Sequence, residues 1–159
     1  IGDLLREQVG TLAVAESCTG GMLSSMLTGA PGASDWFQGG IVSYDNLVKC
    51  DQLGVPRDML NAFGAVSPEV ARAMAEGVCR ACSADWGLGI TGIAGPDGGS
   101  LEKPVGLVYL SLAGSNSATI VRQHKFGGDR DMVKQQAMSG SLDLLRRSLK
   151  GMPLDKHLP

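Results

Sequence analysis

Three observations predict an α/β fold, with helices on both faces of a mixed sheet of about five strands. Short apolar runs alternate with helix-period segments through the first half of the chain. In the second half two apolar runs are separated only by the tract Gly114–Ser117, which predicts a hairpin and hence antiparallel pairing. Glycine-rich stretches directly follow several of the predicted strands, where open α/β sheets commonly bind ligands.

Each element has its own signal. Asp3–Val9 reads as the end of a helix. Thr11–Ala15 (T-L-A-V-A) is a short buried strand bounded by Gly10 and by the turn E-S-C-T-G-G. Gly21–Leu27 reads as a helix, ended by the glycines and proline of 28–32. Gly39–Tyr44 is a second strand, Asn46–Leu53 a short helix, and Pro56–Asn61 another, opened by its proline. Ser67 as N-cap, Pro68 at the first helical position and Glu69 in the first turn start a helix that runs to about Cys82. Trp86–Thr91, Pro104–Ala113 and Ala118–Phe126 read as the remaining strands. Asp129–Leu149 reads as a long final helix and Met152–Pro159 as a loose tail. With no linker or repeat to divide the chain, residues 1–159 are expected to form a single domain. The start at Ile1, inside a helical pattern, fits a chain that belongs to something longer.

Composition narrows the classes. The 159 residues are 43% apolar and 19% charged, which is globular and not disordered. A net charge of −2 gives no reason to expect nucleic acid or an anionic membrane as partner. No apolar run reaches the ~18 residues of a membrane span, and no signal peptide is visible. Cys79 and Cys82 form a C-x-x-C, but on a helix and without a second pair or a histidine nearby, so neither zinc nor a redox role is expected. The length and apolar content need no disulfides, which favours a reducing, cytoplasmic setting.

Four stretches hold more reactive groups than a connection needs. In Ala15–Gly21 a serine at a strand end can face the crevice, while Gly20 and Gly21 let backbone N–H groups approach a ligand. The same residues equally fit a helix start capped by Ser17 or Thr19. After the second strand, Tyr44 and Lys49 could meet at the same sheet edge, although on these residues alone a solvated surface lysine fits better. Thr91–Gly99 (T-G-I-A-G-P-D-G-G) has four glycines and a proline after a strand, which suits a wall of backbone against a ligand and includes Gly92 and Gly95. Arg130 in the first turn of the last helix opposes the helix dipole, which makes sense opposite an anion or beside Asp129 and Asp131. With His124 mid-strand and His157 in the tail, a Ser–His–Asp triad is not expected. Phosphate-loop, dinucleotide and metal-ligand spacings are absent, so no cofactor or metal is expected.

Six segments together resemble the CinA C-terminal domain family. They are A-E-S-C-T-G-G (Ala15–Gly21), V-S-Y-D-N-L-V-K (Val42–Lys49), G-A-V-S (Gly64–Ser67), T-G-I-A-G-P-D-G-G (Thr91–Gly99), K-P-V-G (Lys103–Gly106) and G-D-R (Gly128–Arg130). The resemblance implies an anticodon-binding-domain-like α/β/α fold. It also implies deamidation of nicotinamide mononucleotide to nicotinic acid mononucleotide with release of ammonia. The family occurs alone or as the C-terminal part of a longer competence-associated protein.

On that resemblance Ser17 is the expected nucleophile, ahead of its neighbour Cys18. Lys49 is the expected base for want of a histidine, with Tyr44 and Thr91 relaying the proton or orienting it. N–H groups of Thr19, Gly20 or Gly21 would form the oxyanion site. Gly92, Gly95 and the rest of their loop would take ribose and base, and Arg130 the phosphate. A homo-oligomer is expected to complete the crevice. The competing expectation is a catalytically silent nucleotide-binding module.

Overall fold

The computed structural model of the chain describes residues 1–114 and 117–154. Five strands form one sheet: β1 (Leu12–Glu16), β2 (Phe37–Val42), β3 (Trp86–Gly92), β4 (Leu107–Gly114) and β5 (Ser117–Lys125). Their spatial order is β2-β1-β3-β4-β5. β1 runs parallel to both its neighbours, whereas β3–β4 and β4–β5 are antiparallel. The described helices are α1 (Gly2–Glu7), α2 (Met22–Thr28), α3 (Asn46–Leu53), α4 (Arg57–Phe63), α5 (Pro68–Cys82) and α6 (Arg130–Leu149). The predicted three-layer mixed fold is the fold observed.

The layers follow from the period of the strands. All five residues of β1 are buried, because it is covered on both faces. Leu12 and Val14 enter one core with Leu5 of α1, Leu23 and Leu27 of α2 and the α6 residues Val133, Ala137 and Leu145. Ala13 and Ala15 enter the other, with Leu53 of α3 and Val70, Met74 and Val78 of α5. On that second face the sheet carries small residues, so α5 lies close. A Cβ at Gly89 of β3 would stand 2.8 Å from Ala71 O and 2.9 Å from Ala75 N, both backbone atoms of α5. The capping expected for α5 is present: Ser67 Oγ accepts the Val70 N–H at 3.3 Å, with Pro68 beginning the helix.

Several boundaries differ from the sequence expectation. β2 starts at Phe37 and stops at Val42, so Tyr44 lies beyond the strand; Gly39 and Gly40, poor strand residues, hid the true start. β4 starts at Leu107 because Gly106 adopts a left-handed φ of 89° and directs its N–H to Ile93 O. Pro56 caps α4 from outside, and that helix continues to Phe63. The β4–β5 pairing is the expected hairpin, although residues 115–116 at its turn lie outside the described residues. Of the expected tail, Met152–Leu154 are tied down: Met152 N–H bonds Arg147 O, while Pro153 O and Leu154 O accept from Arg147 and Arg122. Residues 155–159, with His157, lie outside the description. Among the described residues no helix is long and apolar enough to cross a membrane.

The chain leaves β1 through α2 to reach β2 on one side, then crosses by α3, α4 and α5 to β3 on the other. Such a reversal opens a crevice beyond the carboxyl ends of the strands, here β1 and β3. Close α5–β3 packing is a condition for it. Gly89→Ala forces a methyl against α5 backbone and is expected to cost about 1–3 kcal/mol, the usual penalty of overpacking, read as a lower urea midpoint.

Candidate active site

A crevice of about 260 Å³ gathers Ser17, Cys18, Tyr44, Lys49, Thr91 and Arg130, together with backbone of the 92–98 loop. Ser17 is the first residue past β1, and its N–H still bonds Ile90 O of β3 at 3.0 Å. Lys49 comes from α3, whose N-cap Asp45 accepts the Leu47 N–H at 2.7 Å. Helical side chains lean toward the N-terminus, so Lys49 folds back over the chain that leads into its own helix. Its Nζ donates to Ser43 O at 2.7 Å and to Tyr44 O at 3.1 Å, and stands 3.3 Å from Ser17 Oγ.

Lys49 is only 1% exposed. Burial disfavours its charged form and lowers its pKa, while the nearby Asp45 carboxylate pulls it part of the way back. Once neutral, an amine has two N–H bonds and one lone pair. With the two N–H groups held by the carbonyls of Ser43 and Tyr44, the lone pair is left for the Ser17 hydroxyl. Cys18 is in the opposite condition. Burial raises its thiol to about 11, outweighing the nearby positive charges, so it stays protonated near neutral pH and is a poor nucleophile.

Tyr44 touches Lys49 through its main-chain carbonyl, not its ring. The ring is largely exposed, and its phenol oxygen accepts from Arg130 Nη2 at 3.2 Å. Arg130 Nη1 donates to Gly95 O at 2.7 Å, so the guanidinium braces the 92–98 loop against Tyr44 across the crevice mouth. Three of its five N–H bonds remain for a ligand. Thr91 Oγ1 donates to Ala65 O at 2.7 Å and pins the segment before α5 to the crevice wall; no described hydrogen bond joins it to Lys49 or Ser17. Gly92 ends β3, where Leu107 O and Val108 leave no room for a side chain, and Gly95 takes a left-handed φ of 85°.

Two of the three expected oxyanion donors need correction. Gly20 N–H is used by Ser17 O at 3.1 Å, and Gly21 N–H by the carboxylate of Glu16 at 3.1 Å. Positive φ at both glycines turns the chain back on itself and spends those donors internally. Thr19, Gly20 and Gly21 line a separate, larger groove of about 770 Å³ beside α6, whose lining includes neither Ser17 nor Lys49. Among the described bonds, the N–H groups of Cys18 and Thr19 take no partner. Glu16, to which the sequence assigned no role, is fully buried, and its carboxylate accepts four hydrogen bonds. The one available signal was a charged residue closing an otherwise apolar strand, which a buried site must pair. No group of three or more His, Cys, Asp or Glu among the described residues is arranged to hold a metal ion.

A family model described as "CinA C-terminal domain" matches residues 1–149. The chain belongs to the CinA C-terminal domain family. Among curated relatives, a CinA-like protein of Microcystis aeruginosa is 52% identical over 151 residues, covering 94% of this chain and 36% of that protein. A putative competence-damage inducible protein of Moorella thermoacetica is 54% identical over 149 residues, with the same two coverages. The chain thus spans about a third of the length of such relatives. Solved structures agree on the fold. The competence/damage inducible protein CihA of Agrobacterium tumefaciens superposes with TM-score 0.87 at 36% identity, covering 93% of this chain and 94% of that one. The competence damage-inducible protein A of Klebsiella pneumoniae does so with TM-score 0.90 at 28% identity, covering 94% and 92%.

The buried Lys49 has a thermodynamic signature. Between its lowered folded pKa and the ordinary ~10.4, the unfolded chain binds more protons, so stability rises with pH in that window. Below the folded pKa the burial penalty is fully present. Urea melts across that range should show the wild type gaining stability with pH, and Lys49→Met losing that part of the slope.

Proposed function

We propose that this domain is an amidohydrolase that converts nicotinamide mononucleotide to nicotinic acid mononucleotide and ammonia. The observation that carries the reading is the 3.3 Å approach of Lys49 Nζ to Ser17 Oγ in a buried crevice. A serine hydroxyl needs an adjacent base to become a nucleophile, and a lysine with a lowered pKa can be that base. Family membership supports the substrate.

The steps follow from the atoms in place. Neutral Lys49 takes the Ser17 proton as Oγ attacks the carboxamide carbon. The negative charge that develops on the amide oxygen is met by the open N–H groups of Cys18 and Thr19. An amide following the nucleophile is a recurring oxyanion donor in serine hydrolases. Lys49 then returns the proton to the departing nitrogen, the C–N bond breaks, ammonia leaves, and an ester to Ser17 remains. Water, deprotonated by Lys49, attacks that ester; the C–O bond to Ser17 breaks as Lys49 returns the proton to Oγ, and the acid leaves, losing its own proton to solvent as the carboxylate. Arg130, with N–H groups to spare at the mouth, binds the phosphate, and the 92–98 loop meets the ribose.

Ammonia release from nicotinamide mononucleotide tests the proposal. Ser17→Ala is expected to lose at least about 10³-fold in kcat/KM, as loss of a nucleophile does in other serine hydrolases. Cys18→Ala should keep most of the activity. Full activity in Ser17→Ala, or no ammonia from the wild type, overturns the proposal.

Two finer outcomes separate the roles. Arg130→Ala should raise KM by about tenfold, the worth of one charge-assisted contact. The ascending limb of the pH–rate profile should lie below the ordinary lysine value of ~10.4. It should move lower still in Asp45→Asn, which keeps the helix cap but removes the charge that raises Lys49.

A further inference from the structure

We infer that Glu16 is a positioning residue whose buried carboxylate holds the turn after Ser17 in its working geometry. The inference rests on the reading of Ser17 as nucleophile. Oε2 accepts the N–H groups of Gly21 and Leu23, both at 3.1 Å, and Oε1 accepts Ser24 N–H at 2.8 Å and Ser24 Oγ–H at 2.7 Å. Four donors on two oxygens suit an acceptor-only carboxylate.

This is more than a helix cap. A cap normally comes from the residue at the N-cap position, but α2 has glycine there, with no side chain to offer. The carboxylate reaches instead from the last residue of β1, across the turn that contains Ser17, Cys18 and Thr19. That turn is therefore pinned at both ends: by strand pairing at Ser17 N–H, and by Glu16 at Gly21. By taking Gly21 N–H, the carboxylate also sets the turn so that the Cys18 and Thr19 amides remain open. The main-chain carbonyl of the same residue accepts Ser43 N–H at 2.8 Å, and Ser43 O in turn holds Lys49. One residue thus touches both limbs of the nucleophile–base pair.

Gly40 of β2 belongs to the same device. A Cβ there would fall on Ser24 Oγ, so glycine leaves room for the hydroxyl that Glu16 receives. Gly40 is not in a left-handed conformation, so alanine is permitted by the backbone and opposed only by its neighbours.

The test measures kcat and KM on nicotinamide mononucleotide, and separately the rate at which a fluorophosphonate labels Ser17. Labelling needs an activated serine but not the nucleotide. Glu16→Gln replaces one acceptor oxygen by an NH₂ group facing N–H donors. It is expected to lower kcat about 10²-fold, the scale of a 1 Å misplacement, with KM little changed and labelling slowed in step. Ser24→Ala and Gly40→Ala should each give a smaller loss, and the double variant no more than either alone, since both break one bond. If Glu16→Gln does not fold, these two decide. Wild-type kcat and labelling in a folded Glu16→Gln overturn the inference, as does a rise in KM alone or a strictly additive Ser24/Gly40 pair. A wild type that labels at Ser17 but releases no ammonia overturns the substrate reading only, and the labelling ratios still decide Glu16.

Discussion

A lysine amine cannot be buried without partners, and Lys49 has three of them within a few ångströms: two carbonyls of the chain that leads into its helix and the hydroxyl of Ser17. Much of the fold around the crevice can be understood as the support of that arrangement. Ser43 is fixed by β1, α3 is started by Asp45, and Ser17 is held by β3. Removing any of these would leave the amine with fewer places to send its hydrogens. The same burial that makes the site costly to assemble lowers the pKa of the amine below the ordinary lysine value.

The crevice is closed by segments distant in sequence. Arg130, at the start of α6, reaches the 92–98 loop and the Tyr44 phenol at once. A cation in the first turn of a helix is unfavourable in isolation. Its acceptors here lie outside its own helix, one of them a carbonyl. The arginine is therefore a brace before any ligand arrives, with donors left over for an anion. Thr91 does a comparable job from within β3, fastening Ala65 to the wall.

Much of this was legible in the sequence. Period and capping signals located α5 and α6 closely, since Ser67-Pro68 and Asp129 act locally and mean the same thing in most folds. Ser17 drew notice as a reactive group at a strand end, while Lys49, inside α3, was assigned a role only through the family resemblance. What stayed hidden depended on contacts across the sheet. The start of β2 was masked by Gly39 and Gly40, and the purpose of Gly40 lies in a serine on α2. Glu16 looked like part of a motif, but its four donors come from residues five to eight positions later, folded back by positive φ at Gly20 and Gly21. Those turns also used two of the three amides that the sequence offered for an oxyanion, those of Gly20 and Gly21. Tyr44 was placed near Lys49 correctly, but by its carbonyl, which every residue type possesses.

The two apolar cores meet the crevice from opposite faces of the sheet. Lys49 rides on the layer of α3 and α5, while Arg130 and the helix anchored by Glu16 belong to the layer of α2 and α6. Ser17 lies at the seam between them. A slip of a fraction of an ångström between these layers costs the cores little, because apolar packing has no direction, yet it spoils hydrogen bonds that do. Competence of the crevice is therefore a vernier for the alignment of the two layers, far finer than any measure of helix content.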